Sequence, residues 1–161
     1  MKTANIHASC AAIGSPGALN GVLILGESGQ GKSDLLLRLM DEGAKLVADD
    51  RTELYAAKGR LCARAPKSIA GLIEVRGLGI VAQPFAKHAV LALAIQLGTP
   101  ERLPEPAFFE PPDGLGRTKA VPLIVLDGRA ASATARIRLA IKAATKGLIR
   151  EGFNLPGTNP K

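Results

Sequence analysis

Apolar and polar residues follow two different spacings along the chain, and the spacing separates strands from helices. Unbroken apolar runs are typical of buried strands. They predict strands at residues 6–13, 21–25, 45–48, 88–97 and 121–126. Helical spacing appears after residue 32, where apolar side chains recur at Leu35, Leu36, Leu39 and Met40. A helix is therefore predicted over residues 33–42, with Asp34 in its first turn and Gly43 at its end.

A second helical pattern lies near the end of the chain. Ser132 precedes it, and we expect the serine hydroxyl to cap a helix over residues 133–146 that Gly147 ends. The predicted inward face comprises Ile137, Ala140, Ile141 and Ala144. The predicted solvent face comprises Arg136, Arg138, Lys142 and Lys146.

Three segments between these helices have other patterns. Residues 52–57 and 60–65 are short strand-like segments joined at Lys58-Gly59, which predicts a hairpin. Residues 73–81 (IEVRGLGIV) are rich in glycine, and residues 98–119 hold five of the eleven prolines. We expect the proline-rich segment to be a long loop, and its length suggests a functional role or partial disorder.

Strands and helices in this order, with a hairpin inserted, predict one mixed α/β domain. A length of 161 residues suits a single domain, which we expect over residues 1–150, with a flexible tail over residues 151–161. No apolar segment follows Met1-Lys2 as a signal peptide requires. The apolar run at 89–97 is about half the length of a membrane span. The sequence therefore predicts a cytoplasmic protein without membrane contact.

Composition narrows the classes of partner. Lys and Arg number 21 and Asp and Glu number 14, and the resulting net charge of +7 suggests anionic ligands or nucleic acid. Aromatic residues make up only 3% of the chain, which argues against base stacking on single strands and disfavours nucleic acid. Cys10 and Cys62 are too few for a disulfide scaffold. We expect buried free thiols.

The segment GESGQGKS at 26–33 fits the phosphate-binding pattern G-x-x-x-x-G-K-[ST]. Gly26 and Gly31 allow backbone amides to turn towards an anion. The pattern directs Lys32 to the β- and γ-phosphates and the Ser33 hydroxyl to Mg²⁺, while the following helix presents its positive end. The predicted nucleotide-binding residues are Gly26, Glu27, Ser28, Gly29, Gln30, Gly31, Lys32 and Ser33.

A phosphate-binding loop by itself leaves the reaction open. Residues 113–116 fit the DxxG pattern of GTPases, but they lie in the proline-rich segment and no NKxD guanine box follows, which excludes a GTPase. Two apolar runs end in aspartate, as a Walker B strand does: one at Asp49 and Asp50, the other at Asp127. The pattern does not rank them.

The interval from Lys32 to Asp49 and Asp50 holds a short helix and a short strand, which returns these aspartates to the sheet edge of the phosphate-binding loop. Neighbouring side chains at a strand end point in opposite directions, so one carboxylate would face the phosphates and the other would support local structure. A carboxylate that faces a γ-phosphate and an incoming hydroxyl is a general-base candidate.

Three segments together resemble the C-terminal catalytic domain of the HPr kinase/phosphorylase family. They are GESGQGKSD at 26–34, LVADDR at 46–51 and IEVRGLGIV at 73–81, and the last is similar to the family's signature segment. The segments occur in the family's order and at matching spacing, and the resemblance extends from about residue 6 to residue 126. It implies a P-loop kinase-like domain with a mixed central sheet, an inserted hairpin and flanking helices.

The resemblance also implies a function: an ATP-dependent kinase that phosphorylates a serine of the phosphocarrier protein HPr. Asp50 is similar to the family's aspartate that takes the proton from the substrate serine. Glu74 matches the acidic Mg²⁺ ligand that acts with Ser33. His7 and Arg102 resemble active-site residues of the family, His7 with a few extra residues before the P-loop strand and Arg102 within ERLP. The family forms hexamers, so a homo-oligomer is expected.

Two departures from the family pattern modify this expectation. Typical members carry a further N-terminal domain, whereas the first strand here already resembles the catalytic domain, as in the short form found in proteobacteria. The family's late basic segment of the PVRPGRN type, linked to the phosphorylase direction, corresponds to residues 122–129 and keeps only Gly128-Arg129. The sequence thus favours the kinase direction over phosphate-dependent dephosphorylation.

Other interpretations stay open at this point. One is a small-molecule kinase that uses the same loop, and another is a non-enzymatic module that binds nucleotide or nucleic acid. At the level of residues, His7 and Arg102 also fit solvated or packed side chains, Glu74 fits a surface partner of Arg76, and Asp50 fits a turn residue.

Overall fold

The computed structural model describes residues 1–14 and 19–153, and this part of the chain forms a curled, mixed β-sheet with two helices packed on it. Its strands are β1 (Thr3–His7), β2 (Ser9–Ile13), β3 (Asn20–Leu25), β4 (Lys45–Ala48), β5 (Arg51–Ala57), β6 (Arg60–Arg64), β7 (Leu72–Val75), β8 (Gly79–Ala82), β9 (Ala89–Leu97) and β10 (Leu123–Leu126). The helices are α1 (Lys32–Asp41) and α2 (Ala133–Thr145), with a 3-10 turn at Lys67–Ile69. The mixed α/β class predicted from the sequence is confirmed.

The main sheet has the spatial order β1-β5-β6-β9-β3-β2-β4, with β10 added beside β9. Strands β3, β9 and β10 run parallel to one another. Strand β4 has the same direction as β3, because β2 is antiparallel to both of them. The carboxyl ends of all four strands therefore share one edge of the sheet, which is where open α/β sheets bind their ligands.

The curl arises where the predicted strand over residues 6–13 divides into two. The prediction of one continuous strand was wrong: β1 and β2 are separated at Ala8, and each pairs with a different strand. The second bend lies between β4 and β5 at Asp49 and Asp50. The Thr52 hydroxyl donates a hydrogen bond to the Ala8 carbonyl at 2.8 Å, which joins the two bends. The pattern of apolar residues indicates which face of a strand is buried, but it does not indicate where a strand bends and divides into two.

Apolar side chains fill two cores, one on each face of the sheet. The core under the helices includes Val22, Ile24, Leu35, Leu36, Leu39, Leu93, Ile95 and Ile137. The core inside the curl includes Cys10, Leu23, Leu54, Leu61 and Leu91. Strand β9 contributes to both because its side chains alternate between the faces, with Leu93 and Ile95 under the helices and Ala94 inside the curl. A bulge at Ala92, where the pairing with β3 shifts register, places Leu91 and Leu93 on opposite faces.

Helix α1 begins after Gly31 and ends before Gly43, both of which have positive φ (94° and 105°). At the end of α1, Glu42 pairs with Arg138 of α2 at 2.7 Å, and the Thr134 hydroxyl donates to the same carboxylate. The hydrogen bond from Arg138, followed by the one from Thr134, lowers the pKa of Glu42. This contact fixes α2 against the C-terminal end of α1.

The termini and faces of α2 differ in detail from the prediction. Ser132 occupies the predicted N-cap position but makes no capping hydrogen bond; its hydroxyl accepts one from Nε of Arg136 instead. The inward face includes Ala143, which is buried, whereas the predicted Ala144 is only partly buried. The four predicted solvent-face cations are exposed.

The predicted hairpin is confirmed as β5 and β6, with positive φ at Lys58 and Gly59. The glycine-rich segment forms a second hairpin, β7 with β8, whose side chains Leu78 and Ile80 are exposed. Most of residues 98–119 lacks regular structure, as expected of a loop.

Residues 154–161 of the expected tail lie outside the described residues. Neither helix in the described part of the chain has the length and apolar character that a bilayer crossing demands.

Candidate active site

The phosphate-binding loop follows β3 at the shared edge and leads directly into α1. Gly29 and Gly31 adopt φ values of 85° and 94°, a region that side chains with a Cβ rarely enter. At Gly26 an added Cβ would lie 2.9 Å from Oε1 of Gln30 and 3.3 Å from Cβ of Leu97, so a larger residue would have to displace the Gln30 side chain. The shape of the loop therefore favours glycine most strongly at Gly29 and Gly31.

Lys32 is the most buried cation of the loop, with 6% of its surface exposed. Its Nζ donates to the carbonyl oxygens of Gly26 at 2.7 Å and of Glu27 at 2.9 Å. A buried ammonium group at the positive N-terminal end of α1 favours an anionic ligand in the loop. This is the position that the sequence pattern assigned to the lysine.

The side chain of Asp49 faces the phosphate-binding loop. Of the two apolar runs that end in aspartate, the one that ends at Asp49 and Asp50 therefore corresponds to the Walker B strand. Its carboxylate is 7% exposed and accepts the Ser33 hydroxyl at 2.7 Å. The Ser9 hydroxyl donates to the same Oδ1 at 3.2 Å, and the backbone amide of Glu74 donates to Oδ2 at 3.1 Å. Asp127, the other candidate, is exposed and accepts the backbone amide of Arg129 in its own turn at 3.0 Å.

Asp50 extends into solvent, away from the Asp49 carboxylate. Its side chain is 65% exposed, and its Oδ1 accepts a hydrogen bond from Nε2 of His7 at 2.7 Å. Its backbone has φ of 68°, which is unusual for a residue other than glycine, and its amide donates to the Ser9 hydroxyl at 3.1 Å. The two adjacent carboxylates diverge, as expected, but the cause is the positive φ of Asp50 in the bend between β4 and β5 and not the alternation of a strand.

Glu74 and Arg102 are less tightly connected to this cluster. The backbone of Glu74 contacts Asp49, while its side chain is exposed on β7. Within the described residues Glu74 has no ion-pair partner, so the alternative pairing with Arg76 is absent. Arg102 is exposed in the loop after β9, and no hydrogen bond joins its side chain to another described residue. Hydrogen bonds connect Ser33, Asp49, Asp50 and His7 through Ser9, and Glu74 joins them only through its backbone amide, whereas Arg102 is not connected to these residues.

The oxygen atoms of Ser33 and Asp49 fit Mg²⁺, which binds partly to substrate phosphates, better than they fit a metal whose ligands all come from the protein. No cluster of three or more His, Cys, Asp or Glu side chains suited to a metal occurs in residues 1–14 and 19–153. Magnesium needs no such cluster, because one or two carboxylates and substrate phosphates suffice. The hydroxyl of Ser33 beside the buried carboxylate of Asp49 is such a partial site, next to the phosphate-binding loop.

Sequence reasoning missed two features of this site. It placed a metal ligand at Ser33 and Glu74 but left Asp49 without a distinct role, since the pattern LVADD does not show which aspartate faces inward. It assigned nothing to Ser9, because a single serine in an apolar strand has no distinguishing signal. Both roles depend on how β2 and β4 lie side by side.

Comparison with known proteins assigns the family. The family model described as HPr Serine kinase C-terminal domain matches residues 2–97 of the chain. The chain belongs to this family. The matched range includes the phosphate-binding loop, both aspartates and the β7–β8 hairpin, and it ends before Arg102.

Individual relatives agree with this assignment. An HPr kinase/phosphorylase of Stenotrophomonas maltophilia is 40% identical over 119 residues, which covers 66% of this chain and 38% of the relative. One from Clostridium beijerinckii is 49% identical over 61 residues, covering 38% of this chain and 20% of the relative. The solved HPr(Ser) kinase/phosphatase of Coxiella burnetii superimposes with a TM-score of 0.71 at 28% identity, covering 90% of this chain and 98% of that one. The chain thus spans well under half the length of these two curated relatives.

Proposed function

We propose that this protein transfers the γ-phosphoryl group of ATP to a serine hydroxyl of an HPr-like phosphocarrier protein. One observation carries the proposal. An exposed carboxylate, Asp50, is held by His7 and follows directly in sequence on Asp49, which accepts the hydroxyl of Ser33 from the phosphate-binding loop. The names of the relatives support the same reaction and the same acceptor.

Asp50 is the proposed general base. In the reaction the serine oxygen forms a bond to the γ-phosphorus, its proton passes to Oδ1 or Oδ2 of Asp50, and the bond to the β-phosphate oxygen breaks to release ADP. The exposure of Asp50 allows a protein-borne hydroxyl to reach it, whereas the buried Asp49 is inaccessible to a macromolecule. Such phosphoryl transfer depends mainly on positioning and electrostatic stabilisation.

The remaining roles follow from the positions of the side chains. Lys32 would neutralise phosphate charge within the loop, and Ser33, Asp49 and Glu74 would hold Mg²⁺. The bound metal would offset negative charge on the β- and γ-phosphates. His7 would orient the Asp50 carboxylate through their hydrogen bond. Arg102 is proposed to approach the transferred group when the acceptor binds.

The proposal is tested with labelled ATP, Mg²⁺ and a purified HPr-type protein. Asp50→Asn suits the test because asparagine tolerates the left-handed backbone of this position. We expect it to reduce transfer about 100-fold or more while ATP affinity stays within about twofold, since a general base contributes that much to rate. Asp127→Asn, which alters a strand-end aspartate outside the cluster, is the matched control. Normal turnover by Asp50→Asn would contradict the assignment.

The same assay separates the other candidate activities. Phospho-HPr with inorganic phosphate tests the reverse reaction, which we propose is the weaker direction because only Gly128-Arg129 remains of the family's late basic segment. Label on a small metabolite instead of HPr would favour a small-molecule kinase. Steeply salt-dependent DNA retention without labelled HPr would favour a nucleic-acid-binding module.

We also propose that the active form is a homo-oligomer, the hexamer that the family resemblance implies, located in the cytoplasm with its ATP and carrier substrates. Light scattering after size-exclusion chromatography measures the assembly directly. A purely monomeric protein that still phosphorylates HPr at full rate would contradict the assembly without affecting the proposed reaction.

A further inference from the structure

Ser9 is the first residue of β2 and is completely buried. Its hydroxyl has two partners in the candidate active site: it donates to Oδ1 of Asp49 at 3.2 Å and accepts the backbone amide of Asp50 at 3.1 Å. One small side chain therefore contacts both members of the aspartate pair. It uses its donor for the carboxylate and an acceptor lone pair for the amide.

The contact with Asp50 supports a strained backbone. Among described residues other than glycine, only Asp50 and Lys58 have positive φ, and Lys58 belongs to a two-residue hairpin turn that demands it. Asp50 is instead the central residue of a three-residue turn, in which the backbone amide of Arg51 donates to the Asp49 carbonyl at 2.8 Å, and such a turn with positive φ is rare and strained. Strained residues persist where surrounding contacts hold them, and they cluster at functional sites. The hydrogen bond to Ser9 is the side-chain contact that fixes the amide of Asp50 in this conformation.

The contact with Asp49 orients the other carboxylate. Oδ1 of Asp49 accepts both the Ser9 and Ser33 hydroxyls, and Oδ2 accepts the amide of Glu74. These three donors fix the carboxylate plane towards the start of α1. Loss of the Ser9 donor leaves Oδ1 with Ser33 alone, so the carboxylate gains freedom to rotate away from the site where Mg²⁺ would be held.

We propose that Ser9 is a positioning residue that couples the two carboxylates: its hydroxyl fixes the backbone from which Asp50 projects towards the acceptor and orients Asp49 towards Ser33. The inference rests on the proposed kinase function, in which Asp50 takes the proton and Asp49 joins the metal site. It assigns a role to a side chain that touches neither nucleotide nor acceptor.

Ser9→Ala removes one oxygen and adds no atom, so the fold should tolerate it. We expect kcat for HPr phosphorylation to fall about 10- to 100-fold and the Mg²⁺ concentration for half-maximal ATP binding to rise by a similar factor, as is typical when the partner of a ligating group is lost. ATP affinity in EDTA should stay within about twofold. Ser9→Cys, which keeps weaker hydrogen bonds, should lie between Ser9→Ala and the unaltered protein.

Thr52→Val is the matched control, because Thr52 is equally buried and its hydroxyl bonds only to the Ala8 carbonyl. It removes a hydrogen bond of the same bend without touching either carboxylate. Both variants should lose similar thermal stability, but only Ser9→Ala should lose turnover. In an Asp50→Asn background at saturating Mg²⁺, Ser9→Ala should change turnover little further, because the base that it positions is already absent, whereas the higher Mg²⁺ requirement caused through Asp49 should persist.

Amide hydrogen exchange of Asp50, measured by NMR without ligands, provides a readout independent of activity. We expect exchange at this amide to be at least about tenfold faster in Ser9→Ala, and unchanged in Thr52→Val, because only the first loses the acceptor. Unchanged Asp50 exchange, or turnover reduced no more than in Thr52→Val, would overturn the proposal. If the unaltered protein labels no HPr, the kinase assignment fails, and amide exchange together with Mg²⁺-dependent ATP binding still decides the role of Ser9.

Discussion

At the scale of single residues, two adjacent aspartates have different surroundings and therefore different chemical properties. Asp49 is buried among three hydrogen-bond donors, whereas Asp50, one residue later, projects into solvent and pairs with His7. The left-handed backbone at Asp50 separates the two directions. In the proposed mechanism, metal binding and proton transfer thus belong to neighbouring positions that both contact Ser9.

Asp49→Asn should affect Mg²⁺ and leave the loop itself intact. Without the negative charge, the proposed metal site of Ser33 and Asp49 loses its strongest ligand, so we expect ATP affinity in Mg²⁺ to fall about 10- to 100-fold. Affinity in EDTA should be unchanged. Isothermal titration with and without Mg²⁺ measures both values, with Asp127→Asn as control. Equal losses in the two conditions would show that Asp49 supports the loop and not the metal.

The thiol of Cys10 should be inert in the folded protein. Burial raises its pKa to about 12, so it stays neutral, while an unfolded thiol ionises near pH 8.5. The free energy of unfolding should therefore be insensitive to this group at lower pH and fall between about pH 8.5 and 12, by at most about 1.4 kcal/mol per pH unit. Urea unfolding of the unaltered protein and of Cys10→Ala across this pH range measures the contribution of the Cys10 thiol to the free energy of unfolding. An equal pH dependence in Cys10→Ala would contradict this prediction.

At the scale of elements, the turn between β3 and α1 forms the proposed nucleotide-binding site. Gly31 adopts φ of 94° immediately before α1, and Lys32 and Ser33 point into the site only because the chain turns there. The helix is held from the other end by the pair of Glu42 with Arg138. Because α1 is held at both ends, the backbone amides of the phosphate-binding loop are already oriented before a ligand binds. Electrostatic stabilisation is most effective when the donors are oriented in advance.

Gly31→Ala and Gly59→Ala place the same strain at two different turns. Both glycines have positive φ, 94° and 72°, and both positions have space for a methyl group. The cost of alanine is therefore backbone strain alone, and each variant should lose about 1–2 kcal/mol of stability. Only Gly31→Ala should also reduce nucleotide affinity, by about tenfold or more, because it distorts the amides of the phosphate-binding loop. Chemical denaturation and nucleotide titration distinguish the two effects. Normal affinity in Gly31→Ala would contradict this role of the turn.

At the scale of the whole molecule, one sheet joins two cores. The bends at Ala8 and Asp50 curl the sheet so that one face covers an inner core while the other carries both helices. Strand β9 supplies side chains to both cores. We therefore expect the described part of the chain to unfold as one unit.

Leu93→Ala and Leu54→Ala test this unity from opposite faces of the sheet. Both leucines are fully buried, one under the helices and one inside the curl, so each truncation should lower the free energy of unfolding by about 2–5 kcal/mol. Circular dichroism and the fluorescence of Tyr55, the only tyrosine, should give coincident single transitions for both variants. Separate transitions would show that the two cores unfold independently.

Much of the fold and of the site was accessible from sequence because the relevant signals are short in range. The spacing of Leu35, Leu36 and Leu39 predicted α1, and Lys58-Gly59 predicted the turn of the first hairpin. The predicted cap by Ser132 failed for the same reason that caps are hard to assign: the hydroxyl had a competing partner, Arg136, one turn away. The second hairpin escaped prediction because its exposed apolar residues do not alternate with polar ones.

The sequence by itself determined the phosphate-binding loop, the strand before it and the helix after it, since glycine dihedrals and helical spacing act over a few residues. Only the tertiary structure decided what lies opposite the loop. His7 and Asp50 are 43 positions apart, and they meet because β1 pairs with β5 in the register that places His7 opposite Arg51. Ser9 reaches both aspartates through the two bends of the sheet. Register and bends depend on packing of the whole sheet, which no local pattern encodes.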